Sequence, residues 1–263
     1  MQNAPVAVAK ALPYKFKLYM LRKLLKSGVM PGFLCFITFL SQAQTNTYRL
    51  RTGQDIALVS GSGLLLGTGL FLQHNTPPLT EPEILKLDRQ SINRFDRPAT
   101  KYWNPGIAKV SDGVAAGSVL MYSYFFFKPE TRKDAIKIGF VGFESVLLSQ
   151  ALANIIKPVN RIRPFVYNPD APMEKKLKAD ARMSFFSAHT STVSAACFSF
   201  AAAHSYYMPG NKNNRYIWAG AFVVPAVQGY LRVRAGKHYP SDVIAGYLVG
   251  LGTSLLMHHL HKQ

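Results

Sequence analysis

The chain alternates between apolar runs and polar connectors. From residue 50 onward six apolar segments recur, at about 55–72, 106–127, 135–156, 187–208, 216–231 and 240–259. Each is long enough, or nearly so, to cross a hydrocarbon core of about 30 Å as a helix rising about 1.5 Å per residue. Gly, Ala and Ser punctuate the runs, as in GSGLLLGTG and VSAACFSFAAA. Small residues of this kind let membrane helices approach closely. The pattern predicts an all-α fold, a polytopic membrane bundle of about six helices. A soluble bundle of buried helices is the competing reading, because several segments are short or carry a Glu, Asp or His.

The connectors set an orientation. Residues 73–105 are long, polar and rich in Pro and charge, whereas 128–134 (KPETRKD) and 209–215 (PGNKNNR) are short and basic. The Lys/Arg bias of cytoplasmic loops places the two short ones inside the cell, so the segment ends around 157–186 and 232–239 face the other side. Upstream, residues 20–43 join a basic stretch to an apolar run that ends in Ser41-Gln42-Ala43, as a secretory signal peptide does. The expected organisation is a leader over 1–43, with Met20 as an alternative start, followed by one helical domain over 44–263. Cleavage of that leader would turn the 157–186 face toward the cytoplasm; the basic loops favour the periplasmic side of a bacterial inner membrane.

Composition narrows the partners. Charged residues make up 17% of the chain, below the usual quarter of soluble domains. The formal net charge is +18. A basic surface suits nucleic acid, anionic headgroups or phosphorylated substrates. No nucleic-acid-binding motif is present, which leaves a membrane and a phosphorylated lipid as expected partners. Cys35 and Cys197 are the two cysteines, and neither lies in a cluster with metal-ligand spacing.

Three polar stretches carry candidate chemistry. In LRVRAGKHYPSDVIAGYLVG (231–250), Pro240 and Ser241 are helix-start residues; His238 precedes the start and Asp242 lies in the first turn. A carboxylate four residues from a histidine can fix its tautomer and leave the other nitrogen free to attack. Arg232 offers a planar fork that fits phosphate oxygens. In SFFSAHTSTVSAA (184–196), Ser187 is an N-cap candidate with His189 in the first turn, and a helix N-terminus suits an oxyanion. In KPVNRIRPF (157–165), Lys157, Arg161 and Arg163 concentrate positive charge. Alternating spans bring all three stretches to one membrane face. Two histidines, several arginines and two helix starts on one face fit phosphoryl transfer, which needs cations around the equatorial oxygens, an in-line nucleophile and an acid. Of two other polar stretches, the basic 166–184 reads either as an element attracting anionic headgroups or as a solvated loop, and residues 84–103 (with Arg94, Asp96, Arg97 and Trp103) are expected to pack at the interface without chemistry of their own.

Arg232-x5-His238-x3-Asp242 resembles the third signature of the type 2 phosphatidic acid phosphatase superfamily, which includes the vanadium haloperoxidases, with Leu231 in place of a Ser. Phe186-Ser187-Ala188-His189 resembles the second signature, Pro-Ser-Gly-His. Arg163-Pro164 resembles the end of the first, Lys-x6-Arg-Pro, whose lysine would fall on Ile156, one position before Lys157. Ala188 in place of Gly requires a negative φ there. The resemblance implies a metal-independent lipid phosphatase, without cofactor, working through a phosphohistidine on His238. Asp242 would orient that histidine and His189 would act as the acid. Arg163, Arg232, Ser187, the Ala188 N–H and Lys157 would cradle the phosphate. The alternatives are a non-catalytic lipid-binding or carrier protein and a vanadate-dependent haloperoxidase.

Overall fold

The computed structural model describes residues 46–263; the leader expected over 1–43 lies outside the described residues. Every predicted apolar segment is a helix: α1 (Thr52–His74), α2 (Pro105–Leu120), α3 (Ala135–Ile156), α4 (Ala188–Tyr207), α5 (Asn214–Arg234) and α6 (Pro240–His261). Shorter helical turns fill the connectors. Among the described residues there are no strands, only the isolated bridges Tyr48–Lys262 and Arg161–Met183.

The helix starts follow their sequences. Pro105 and Pro240 occupy first-turn positions, where a missing N–H costs nothing. Asn104 caps α2 by accepting from Ile107 N at 2.9 Å. Ser187 caps α4 as expected.

Helix α4 is the axis of the bundle and packs against α6, α5, α3 and α2. Fifteen of its twenty residues are buried, against three of twenty-three in α1. This explains its composition: a helix ringed by others needs small, closely packing side chains rather than greasy ones. Gly246 and Gly250 of α6 let it close onto the α4 backbone. A Cβ on Gly250 would stand 2.3 Å from Ser191 O, and one on Gly246 2.6 Å from Ser187 O.

The outer helices expose Leu64 and Phe71 on α1, Leu120 on α2, Ile136 on α3, Val223 on α5 and Leu248 on α6. Such a belt of apolar side chains is suited to lipid. Helix α1, Ala135–Val159 and α6 are long and apolar enough to cross a membrane. The sequence suggested six such segments. The other three differ because α2 is only 16 residues long, α4 is diluted by Ser, Thr and His, and α5 carries Arg215, Arg232 and Arg234 with Pro225 inside. The connectors 75–104, 157–187 and 235–239 cap the end where α3 and α5 finish and α2, α4 and α6 begin.

Candidate active site

The site forms where these three connectors meet. Helix α3 passes into a tight 3₁₀ turn at Lys157–Val159, and Asn160, the one non-glycine residue with positive φ (64°) among the described residues, reverses the chain. The following strip lies beside the segment before α4: Arg163 N donates to Ala181 O at 2.8 Å, and Ser184 N to Arg161 O at 2.9 Å. The third connector leaves α5 through Gly236 at φ 74°, where a Cβ would meet Tyr102 O at 2.1 Å. Only glycine adopts that conformation against a backbone without strain. Gly236 O in turn accepts from Phe165 N at 2.9 Å, so the turn between Arg232 and His238 is fastened to both other connectors.

His238 is 2% exposed. Its Nδ1 lies 2.7 Å from Ser184 O. A carbonyl only accepts, so Nδ1 carries the hydrogen and Nε2 presents a lone pair. Arg163 Nη1 donates toward that lone pair at 3.2 Å. Burial, and then the charges of Arg163, Arg232 and Lys157, hold the imidazole well below its ordinary pKa. It is a neutral base amid cations. Here the arrangement departs from the expected pairing: Asp242 Oδ2 is 3.7 Å from His238 Nδ1, too far for a hydrogen bond. That oxygen instead accepts from Ser184 Oγ at 2.6 Å and from Tyr239 N at 2.9 Å, and Oδ1 is held by Arg161. Asp242 therefore caps α6 and fastens Ser184, whose carbonyl orients His238.

The cations around His238 are fixed in place. Arg163 is 4% exposed; it donates to Asp180 O at 2.9 Å, Asp180 Oδ1 at 2.7 Å and Lys237 O at 2.9 Å. Burial would raise the Asp180 pKa, but Arg163, Lys237 and Lys157 outweigh it and keep the carboxyl below its usual value. Lys237 is held below its ordinary pKa by burial and by Arg163, although Asp180 opposes the shift. Arg232 Nη1 donates to Ser111 Oγ at 2.9 Å and reaches Asp112 Oδ1 at 3.3 Å, while its buried Nε has no protein partner.

His189, in the first turn of α4, meets the same Asp112 oxygen at 3.0 Å and is partly exposed. Asp112 thus links His189 to Arg232. Ser187 Oγ is engaged with Thr190, 2.9 Å from its hydroxyl, rather than with any of these groups. Ala188 has negative φ, as its replacement of glycine requires. An apolar cavity of about 250 Å³ opens beside the site between α5 and α6, lined by Thr190, Pro225, Gly229, Val243, Tyr247 and Leu248.

Several residues of the site are not marked by the sequence pattern. Asp112 carried one signal, an ionisable residue within an apolar helix. Ser184 and Asp180 carried none. Asp96, in the long connector, accepts from Ser241 N at 3.0 Å, Ser241 Oγ at 2.6 Å and Arg161 Nη2 at 2.7 Å. Arg161 consequently bridges two buried carboxylates, Asp96 and Asp242.

Residues 140–263, which hold every candidate site residue named from the sequence, match the family model described as the PAP2 superfamily. Two lipid A 1-phosphatases are similar. The one from Rhizobium johnstonii is 35% identical over 136 residues, covering 48% of this chain and 50% of that one. The one from Rhizobium etli is 34% identical over 139 residues, covering 48% and 53%. The chain spans about half the length of the curated relatives it matches. Among solved structures, a transmembrane PAP2-type phosphatidylglycerolphosphate phosphatase from Bacillus subtilis aligns over 76% of this chain and 94% of that one, at 21% identity and a TM-score of 0.46.

Proposed function

We propose that this protein is a lipid phosphatase of the PAP2 kind that uses His238 as a nucleophile and needs no metal for the reaction. The observation that carries this reading is the buried neutral His238, locked in one tautomer by Ser184 O with Nε2 turned toward Arg163. His238 Nε2 attacks phosphorus as the bond to the leaving oxygen breaks, and His189 gives that oxygen its proton. Arg163 turns from Nε2 onto a phosphate oxygen. Arg232, through its unpartnered Nε, takes another, and Lys157 and the N-terminal end of α4 at Ser187–Ala188 complete the cradle. Water then attacks the phosphohistidine, returning a proton to His189 and releasing phosphate. Asp242 acts on His238 indirectly, through Ser184.

The apolar cavity between α5 and α6 supports a substrate with an apolar tail. It is lined by Thr190 and Val243, from the first turns of the same two helices that carry His189 and Asp242, and would take an apolar tail. The lipid A 1-phosphatases favour a phosphate on a lipid A-like headgroup as the first substrate to try. The basic loops 128–134 and 209–215 lie at the end opposite the site, which supports a site facing the periplasm. A panel of lipid A 1-phosphate, phosphatidylglycerolphosphate, phosphatidic acid and isoprenoid diphosphate, assayed in detergent with chelator, tests the proposal. Phosphate release is expected from at least one of them and is lost in His238→Ala. Full activity in that variant sinks the mechanism.

A further inference from the structure

A second group of ionisable side chains converges at the other end of the bundle. Asp55 stands in the first turn of α1, Glu144 in α3, and His261 is the last residue of α6. Their side chains are 9%, 1% and 0% exposed. His261 Nε2 is 3.1 Å from Asp55 Oδ1 and 3.1 Å from Glu144 Oε2. One donor atom from each residue lies within 4.8 Å of the others. Asp242 and His261 sit at opposite ends of α6, roughly 28 Å apart at 1.5 Å per residue, so this cluster is separate from the phosphate site.

The hydrogens make the cluster unusual. His261 Nδ1 is 2.8 Å from Met257 O. The carbonyl only accepts, so Nδ1 carries a hydrogen, and in the neutral form of the ring Nε2 turns a bare lone pair toward two carboxylates. Glu144 is 2% exposed, and neither of its carboxylate oxygens has a hydrogen-bond partner; Oε2 approaches Nε2 without a hydrogen-bonding geometry. Two buried anionic groups and a lone pair facing one another are costly unless a positive charge sits among them. Ionisable groups buried between membrane helices are in general functional.

We propose that Asp55, Glu144 and His261 bind a divalent first-row transition metal ion, zinc or manganese, that fastens α1, α3 and α6 together. An imidazole with two carboxylates suits these ions, whereas magnesium and calcium prefer oxygen alone. Metal–ligand bonds of about 2.0–2.2 Å put neighbouring ligand atoms roughly 3.0–3.5 Å apart, the spacing His261 keeps to both carboxylates. The ion joins the start of α1 to the end of α6, so its role is structural.

The test uses full-length protein without a histidine tag, purified in detergent, stripped with chelator and dialysed against Zn²⁺ or Mn²⁺. Metal is counted by plasma mass spectrometry and thermal midpoints are recorded in parallel. The wild type is expected to retain about one ion per chain and to gain thermal stability with it. His261→Gln and Glu144→Gln lose the ion and the gain; Asp55→Asn serves if either fails to elute as a single species. X-ray absorption should show a shell of nitrogen and oxygen at about 2.0–2.2 Å without sulfur. Wild-type protein that binds neither metal at about 100 μM, with an unchanged midpoint, overturns the proposal and leaves a protonated histidine between two carboxylates. Equal binding by all variants also overturns it, since the ion is then elsewhere.

Discussion

Replacing Arg161 with Gln tests how the site is held together. Arg161 joins Asp96, 1% exposed, to Asp242, fully buried. Removing one partner of a buried ion pair costs about 3–5 kcal/mol. Two facts reduce that figure here. The Arg161 side chain is 27% exposed, so solvent already screens it. Both carboxylates also keep other donors: Ser241 and Asn93 for Asp96, Ser184 and Tyr239 for Asp242. A net loss of about 2–4 kcal/mol in stability is therefore expected. The catalytic effect follows a different route. A loosened Asp242 frees Ser184, and with it the carbonyl that orients His238. A displacement of about 1 Å at the nucleophile can lower kcat by about 100-fold, while KM stays near its wild-type value because the phosphate cradle is intact. Arg161→Lys keeps the charge without the fork and should fall between the two. Denaturant unfolding in mild detergent and steady-state assays on the lipid phosphate released fastest give both quantities. A stability change below about 1 kcal/mol refutes the bridge. A rise in KM with kcat unchanged refutes the positioning role and makes Arg161 a phosphate ligand.

Other outcomes follow from the same geometry. His189→Ala should lower kcat by about 10²–10⁴-fold, as loss of a general acid does; an unchanged rate on a substrate with a poor leaving group counts against the assignment. Asp112→Asn removes a negative charge beside the cradle while loosening His189, so kcat and KM are expected to fall together, and a raised KM contradicts this. Gly236→Ala forces a side chain into a left-handed conformation costing about 1–2 kcal/mol and pushes on Tyr102 O, so activity should drop at least about tenfold with the helical content retained; wild-type kinetics would show that the turn is not fixed. The depressed pKa of His238 has a stability consequence. As pH falls below the unfolded value of about 6.5, the unfolded chain takes up a proton that folded His238 refuses, so stability declines with acid. Thermal midpoints between pH 7.5 and 5.5 should fall more steeply for the wild type than for His238→Gln, and parallel slopes would rule this out.

Most helix limits were legible because apolar runs and their starts are local signals: Pro240, Ser187 and the 135–156 run sit where the structure places them, whereas the 106–127 run overshoots α2, which ends at Leu120. The convergence of Lys157, Arg163, His189, Arg232 and His238 was legible too, since counting alternating helices is enough to put them at one end. What the sequence did not disclose was the second tier of contacts. Asp96, Asp112, Asp180 and Ser184 act through partners far away in the chain, and their neighbours give no periodicity that marks them. The spacing of His238 and Asp242 suggested a direct pair. The outcome differs because Asp242 has better donors in Tyr239 N, Ser184 and Arg161. The distinction between helices that touch lipid and the one they surround was also hidden, because α4 and the outer helices draw on the same small residues and only packing tells them apart.

The carboxylates beside the arginines bear on turnover as well as architecture. Asp180 grips Arg163 and Asp112 reaches Arg232 and His189, so both arginines of the proposed cradle already have an anion tethered to the protein. A tethered group competes at an effective concentration in the millimolar range. Free phosphate must displace both carboxylates with only its own charge to offer. A lipid phosphate does the same with the added burial of its tail between α5 and α6. On the proposed mechanism the cradle thus discriminates against its own product, and departure of inorganic phosphate is helped by side chains ready to close behind it.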